Sequence, residues 1–217
     1  MQTRAVILDL DGLIVDSEPI HQRAFNLYLA RHNVDYQFGD DEYGRLIVGI
    51  PVRANAEYLV ERFRLPYDAR EVVAEREEIY EALIEEPDNL VPMPGLYDLL
   101  NELQVRKIVL GLASGSPRGQ VETILRGLGI VSFFGAVVAG TDVARTKPAP
   151  DVYMQAVQHL GIPSKFCVAV EDSATGIASA KAAGLRVVVV PNRYTRQQDL
   201  SGADLRVDRL EQVLEVI

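Results

Sequence analysis

The run Asp9-Leu10-Asp11-Gly12, directly after the apolar stretch Ala5-Val6-Ile7-Leu8, puts two carboxylates at the carboxyl end of a strand whose composition is that of a buried one. A carboxylate stays ionised at the edge of an apolar layer only when it is hydrogen-bonded, solvated or paired with a cation. If the strand continues through Leu10, period-2 geometry points both side chains to one side, where they could share one cation. In open α/β sheets ligands collect just outside the carboxyl ends of the strands, which is where Asp9 and Asp11 fall. Taken alone, Asp11-Gly12 reads equally well as a turn dipeptide.

Later strand ends carry polar groups of the same sort. After the apolar run 108–113 comes Ser114-Gly115-Ser116-Pro117, where hydroxyls and free backbone N–H groups precede a helix beginning near Pro117. Unpaired amides and the positive end of a helix dipole facing one point make an anion site. A simple helix cap by Ser114 or Ser116 accounts for the same residues. After 136–139 a loop reaches Thr146-Lys147-Pro148-Ala149-Pro150-Asp151, whose prolines stiffen the backbone around Lys147. Its ammonium could be aimed inward as a point charge for phosphate, or be merely solvated. After 167–170 stand Glu171-Asp172-Ser173, ahead of an alanine- and glycine-rich helix over 174–184. An N-cap explains Asp172 or Ser173 singly, but not four acids converging on one edge of one sheet. Magnesium takes hard oxygen ligands and keeps several waters, so a few carboxylates and a phosphate oxygen would complete its shell. The constellation reads as phosphoryl transfer, with Asp9, Asp11 and Asp172 around Mg2+ and the Ser114-Gly115 turn and Lys147 on the phosphoryl oxygens.

Composition bounds what such a site can belong to. The 217 residues suffice for one sizeable core with an insertion, or for two small domains. Hydrophobic residues at 48% and charged residues at 24% describe a folded soluble protein rather than a disordered one. A net charge of −9 argues against a nucleic-acid surface, which needs clustered Lys and Arg to displace counterions. The single cysteine, Cys167, forbids an intramolecular disulfide and fits a reducing cytosol; within Phe166-Cys167-Val168-Ala169-Val170 it reads as a buried, inert thiol. The apolar stretch 5–8 is too short for a signal peptide, and no run approaches membrane-spanning length.

The elements that must position these groups show in the hydrophobic pattern. Apolar runs at 5–8, 108–113, 136–139, 167–170 and 187–190 lack clean alternation, as strands buried on both faces do. Between them, Leu96, Leu99, Leu100 and Leu103, then Val121, Ile124, Leu125 and Leu128, then Tyr153, Ala156, Val157 and Leu160 keep helical spacing. This predicts an α/β fold, a Rossmann-like parallel sheet covered by helices on both faces. Residues 17–87 break the rhythm, with helix-like segments at 20–31, 54–63 and 68–85 and no convincing strand. The Pro-rich segment 86–95 cannot continue a helix and suits a hinge. The expected division is an α/β core of 1–16 and 88–217, interrupted by a helical cap domain at 17–87. A unit leaving directly after the aspartates would act as a lid that excludes water and carries specificity.

In this order, Asp9-Leu10-Asp11-Gly12, the Ser114 strand end, Lys147-Pro148 and Glu171-Asp172 resemble the four motifs of the haloacid dehalogenase superfamily. Asp16-Ser17-Glu18, the helical insertion, Lys147-Pro148-Ala149-Pro150-Asp151 and Glu171-Asp172-Ser173-Ala174-Thr175-Gly176 are further similar to the β-phosphoglucomutase-like subfamily and its phosphatase relatives. The resemblance covers nearly the whole chain. It implies that Asp9 is the nucleophile, becoming an aspartyl phosphate, and that Asp11 is the general acid and then the base that activates water. It further implies that the Asp11 backbone carbonyl and Asp172, helped by Glu171, hold Mg2+, while Ser114 and Lys147 offset charge on the phosphoryl group. Dehalogenases of this architecture lack an acid two residues after the nucleophile, phosphonatases carry alanine and cation-pumping ATPases threonine, so Asp11 points to phosphate esters.

The implied substrate is a small phosphorylated metabolite, a sugar phosphate above others, handled by a cytoplasmic monomer with no nucleic-acid or membrane partner. By analogy with β-phosphoglucomutase, His21 near the hinge, Arg53 in Val48-Gly49-Ile50-Pro51-Val52-Arg53, Arg76 and Ser116 are candidates for facing the substrate. The Arg53 loop has one residue more than the mutase pattern between glycine and arginine, and Pro51 replaces a flexible position. Hydrolysis is therefore expected ahead of phosphomutase transfer, with a catalytically silent binding module as a third reading. His21 is alternatively a partly buried helix residue, and for Arg76, within Glu75-Arg76-Glu77-Glu78, a solvated helix face is the expected reading.

Overall fold

The protein is described over residues 2–217 in a computed structural model. Its elements in chain order are β1 (Ala5–Leu8), α1 (Glu18–Arg31), α2 (Asp40–Leu46), α3 (Val52–Phe63), α4 (Ala69–Glu85), α5 (Leu96–Val105), β2 (Val109–Ala113), α6 (Arg118–Gly127), β3 (Phe134–Val138), α7 (Asp151–Leu160), β4 (Cys167–Glu171), α8 (Ala174–Ala182), β5 (Arg186–Val189), β6 (Leu205–Arg206) and α9 (Val213–Val216). The strands form one parallel sheet in the order β3-β2-β1-β4-β5-β6. Successive strands of such a sheet need long crossovers, which helices supply except between β5 and β6, where residues 190–204 form turns and loop.

The apolar runs lack alternation because both sheet faces are covered. On one face Ala5, Ile7, Cys167, Ala169, Val187 and Val189 join a cluster with Val152, Tyr153 and Ala156 of α7 and Ile177 and Ala180 of α8. Their neighbours along the strands, Val6, Leu8, Val168, Val170 and Val188, face the other way and are just as buried. The register matters most at β1: Leu8 lies beside Leu112 of β2 and Val170 of β4, so Asp9 emerges between the ends of its two neighbours.

The chain divides into two compact units, residues 1–16 with 90–217, and residues 17–89. Where the chain leaves and re-enters the α/β unit, the Asp16 N–H donates to the Val91 carbonyl and the Met93 N–H to the Ile14 carbonyl, each at 2.9 Å. The second unit is all helix. Its α4 packs against α1 and α3, and starts at a capping box in which Asp68 and Glu71 satisfy each other's backbone N–H groups.

Three elements escape the sequence pattern: α2, β6 and the four-residue α9. Of the residues of α2 only Tyr43 is buried, so there is no apolar stripe to read. Strand β6 is two residues long and is defined by pairing with β5, not by composition. Strand β3 starts two residues before the apolar run because Phe134 pairs with Leu110 across a register shift. Ile7 is fully buried at the centre of the sheet. Its replacement by alanine is expected to destabilise the α/β unit by ~2–5 kcal/mol in urea unfolding; a loss under about 1 kcal/mol would contradict the packing described.

Candidate active site

Asp9 follows β1, Glu171 ends β4, and these strands are neighbours, so the two carboxylates meet at one sheet edge. Lys147, from the segment between β3 and α7, lies between them: its Nζ donates to Asp9 Oδ1 at 2.5 Å and to Glu171 Oε1 at 2.6 Å. Tyr153 of α7 donates its hydroxyl to the same Glu171 oxygen at 2.6 Å, and its ring centre lies 5.0 Å from the Lys147 ammonium. Asp172 is buried beside them, and one oxygen each of Asp9, Glu171 and Asp172 falls within 4.8 Å of the others. Helix α8 can approach only because position 176 is glycine, since a Cβ there would meet the Glu171 carboxylate at 1.9 Å.

A second group of candidates is joined through Asp11. The Ser116 hydroxyl donates to Asp11 Oδ2 at 2.6 Å, and the Ser116 N–H donates to the hydroxyl oxygen of fully buried Ser114 at 3.0 Å. Gly115 sits against Thr146, the residue before Lys147. This turn is anchored to the next strand's loop: the Gly140 N–H donates to the Ser116 carbonyl at 2.8 Å, and the Arg118 guanidinium pairs with Asp142.

Burial and mutual repulsion dominate the electrostatics. Burial, then the Glu171 charge, raise the Asp9 carboxyl to about 7 despite the counter-effect of Lys147. Asp172 is pushed well above the usual carboxylate range by burial and by Asp9 and Glu171. Burial alone would lower the Lys147 ammonium, but Asp9 and Glu171 outweigh it and leave its pKa raised. These carboxylates are short of positive charge. Asp11 Oδ1 is moreover buried without a hydrogen-bond partner. Three buried carboxylates, Asp9, Glu171 and Asp172, with the single ammonium of Lys147 among them fit a divalent cation of the magnesium type.

Tyr153 and Asn192 join the site without a sequence signal of their own. Tyr153 shows only as one of the apolar positions of a helix; that its hydroxyl reaches Glu171 is a tertiary fact. Asn192 follows the end of β5 in Val190-Pro191-Asn192-Arg193, with no acid beside it to mark a site; its Nδ2 donates to Asp172 Oδ2 at 2.8 Å and to the Gly12 carbonyl at 3.0 Å. Cys167 is buried, and burial raises its thiol, as expected for an inert core cysteine.

Within the helical unit, the expectation that Arg76 lies on a solvated helix face is overturned. It is 1% exposed, packed over the rings of Phe25 and Tyr80 and paired with Glu77 and with Nδ1 of His21. Rings beneath the guanidinium supply the attraction that water would otherwise give. His21 is partly buried and stacked on Tyr80 at 4.1 Å, and burial and the Arg76 charge hold its ring well below the ordinary histidine pKa. Both residues line a cavity of about 140 Å³ with Glu18, Tyr43 and Asn55. Arg53 is exposed and its Nε pairs with Glu57 of its own helix at 3.2 Å.

A lysine-bridged acid cluster at the carboxyl edge of a parallel sheet is suited to handling a phosphate ester beside a divalent cation. A family model described as haloacid dehalogenase-like hydrolase matches residues 3–184, and the chain belongs to that family. It is 34% identical over 217 residues to protein CbbY of Rhodobacter capsulatus, covering 97% of this chain and 95% of that one. It is 31% identical over 185 residues to fructose-1-phosphate phosphatase YqaB of Escherichia coli K12, covering 85% and 95%. A crystal structure of variant CbbY from Rhodobacter sphaeroides with xylulose-(1,5)bisphosphate superposes with a TM-score of 0.81 at 31% identity, covering 96% and 95%. The chain is accordingly an enzyme, a phosphoric monoester hydrolase.

The raised Asp9 carboxyl has a measurable consequence without metal. Between its unfolded value near 3.8 and its folded value of about 7, the native state keeps a proton that the unfolded chain has lost. Stability therefore falls as pH rises from about 4 to about 7, the reverse of a salt-bridged carboxylate. In chelator, Asp9→Asn is expected to flatten this fall and to melt above the wild type at pH 8. Parallel melting curves for the two proteins across that range would refute it.

Proposed function

We propose that this enzyme is a Mg2+-dependent phosphatase that hydrolyses a small phosphorylated metabolite, a sugar phosphate, through an aspartyl phosphate on Asp9. The observation that carries the reading is the convergence of Asp9, Glu171 and Asp172 with Lys147 between two of them. The chemistry of the relatives, a fructose-1-phosphate phosphatase and a protein crystallised with a sugar bisphosphate, supports the substrate class.

In this reading Asp9 and Asp172 hold the ion with the Asp11 carbonyl. When bound, Mg2+ neutralises charge on the phosphoryl oxygens and favours ionised Asp9. Asp9 attacks phosphorus, forming an Asp9 O–P bond as the ester P–O bond breaks. Asp11 protonates the departing ester oxygen, its carboxyl aimed by the Ser116 hydroxyl at 2.6 Å. The resulting Asp11 carboxylate takes a proton from water, whose oxygen attacks phosphorus and releases Asp9 and inorganic phosphate. Lys147 stays protonated through both steps and offsets the phosphoryl charge. Glu171, with one oxygen held by Lys147 and Tyr153, positions the lysine and adds negative charge to the metal site. Choice among esters is assigned to the helical unit, where the His21 and Arg76 cavity offers a buried guanidinium.

Purified protein is expected to release phosphate from an aryl phosphate and from members of a sugar-phosphate panel with Mg2+, and not in chelator. Asp9→Asn should abolish release, and Asp11→Ala should lower it by ~10²–10⁴-fold. No release from any ester would overturn the proposal. Conversion of β-glucose 1-phosphate to glucose 6-phosphate, dependent on a bisphosphate primer, would replace hydrolysis by mutase transfer.

A further inference from the structure

Asn192 stands where the loops after three strands come together. It follows β5, its partner Asp172 follows β4, and its other partner, the Gly12 carbonyl, belongs to the turn after β1. Strands β1 and β5 are not adjacent, so the amide spans the end of β4. Its oxygen is committed as well, accepting from the Tyr194 N–H at 2.8 Å and the Thr195 N–H at 3.1 Å. An amide offers two donor hydrogens and two acceptor lone pairs; here each is used. Only one orientation satisfies them, with the nitrogen toward Asp172. The contact is close: Gly12 has φ +76°, and a Cβ there would lie 2.5 Å from Asp172 Oδ2 and 2.6 Å from Asn192 Nδ2.

The chemistry of the partner matters. A lysine or arginine at this place would also hold Asp172, but would cancel the charge that a cation needs. A neutral amide fixes the carboxylate plane and leaves its charge in place. We propose that Asn192 is a positioning residue for the metal site: it clamps Asp172 by one oxygen, holds the nucleophile's turn by the Gly12 carbonyl, and presents the other Asp172 oxygen to the ion. The inference rests on the Mg2+ reading above, and supplies that site with a residue from a strand end outside the four motifs.

The test is calorimetric titration of metal-free wild type, Asn192→Ala and Asn192→Ser with Mg2+ alone, with melting in chelator as the control for folding. A serine hydroxyl can still accept from the N–H two residues on and keep the loop, but it is too short to reach Asp172. Both variants are expected to bind Mg2+ about 10- to 100-fold more weakly, with the serine variant melting close to wild type. Affinity within twofold of wild type in a folded serine variant would overturn the inference and leave the metal site standing. Absence of Mg2+ binding by wild type would instead remove the metal reading on which it rests.

Discussion

Asp9, Glu171 and Asp172 are gathered at one sheet edge with Lys147 as the ammonium between Asp9 and Glu171. Like charges in a poorly solvated interior repel more strongly than in water, and the Asp9 and Asp172 carboxyls are raised first by burial and then by that repulsion. Other local features answer to it. Tyr153 gives Glu171 a second donor beside Lys147, glycine at 176 lets α8 close against that carboxylate, and Asn192 holds Asp172 without discharging it. What remains unneutralised is the negative charge that the proposed cation would answer.

The parallel sheet makes this concentration of charge possible. Equal register of β1 with β2 and β4 ends neighbouring strands at one level, so residues far apart in the chain arrive together. The buried strand bodies supply the rigidity: with both faces packed, displacement of Asp9 would require moving Ile7 and Leu8 through the core. A covalent mechanism depends on such fixity, because an in-line attack tolerates little error in the nucleophile's position.

Much of this was legible in the sequence because strand ends announce themselves. An apolar run followed by Asp9-Leu10-Asp11-Gly12, or by Glu171-Asp172-Ser173, places the acids at the carboxyl edge before any coordinates are known. Lys147 was readable as a candidate, but not its two carboxylate partners, since a loop lysine is ordinarily solvated. The hydroxyl of Tyr153 was hidden by helical periodicity, which treats tyrosine as one more apolar residue. Arg76 is hidden for the same kind of reason: its acidic neighbours in sequence suggest solvent, whereas Phe25, Tyr80 and His21 enclose it in space. Helix α2 and strand β6 carry too little apolar pattern to be seen at all.

In the proposed mechanism Asp9 bonds covalently to phosphorus beside a metal held by Asp172. A crystal structure with Mg2+ and beryllium fluoride tests it directly, because trifluoroberyllate mimics an acyl phosphate only on a carboxylate poised to attack. The expected result is the adduct on Asp9, the ion between Asp9 and Asp172, and the Lys147 ammonium against a fluoride. An adduct on another residue, or an ion bound away from Asp172, would contradict it.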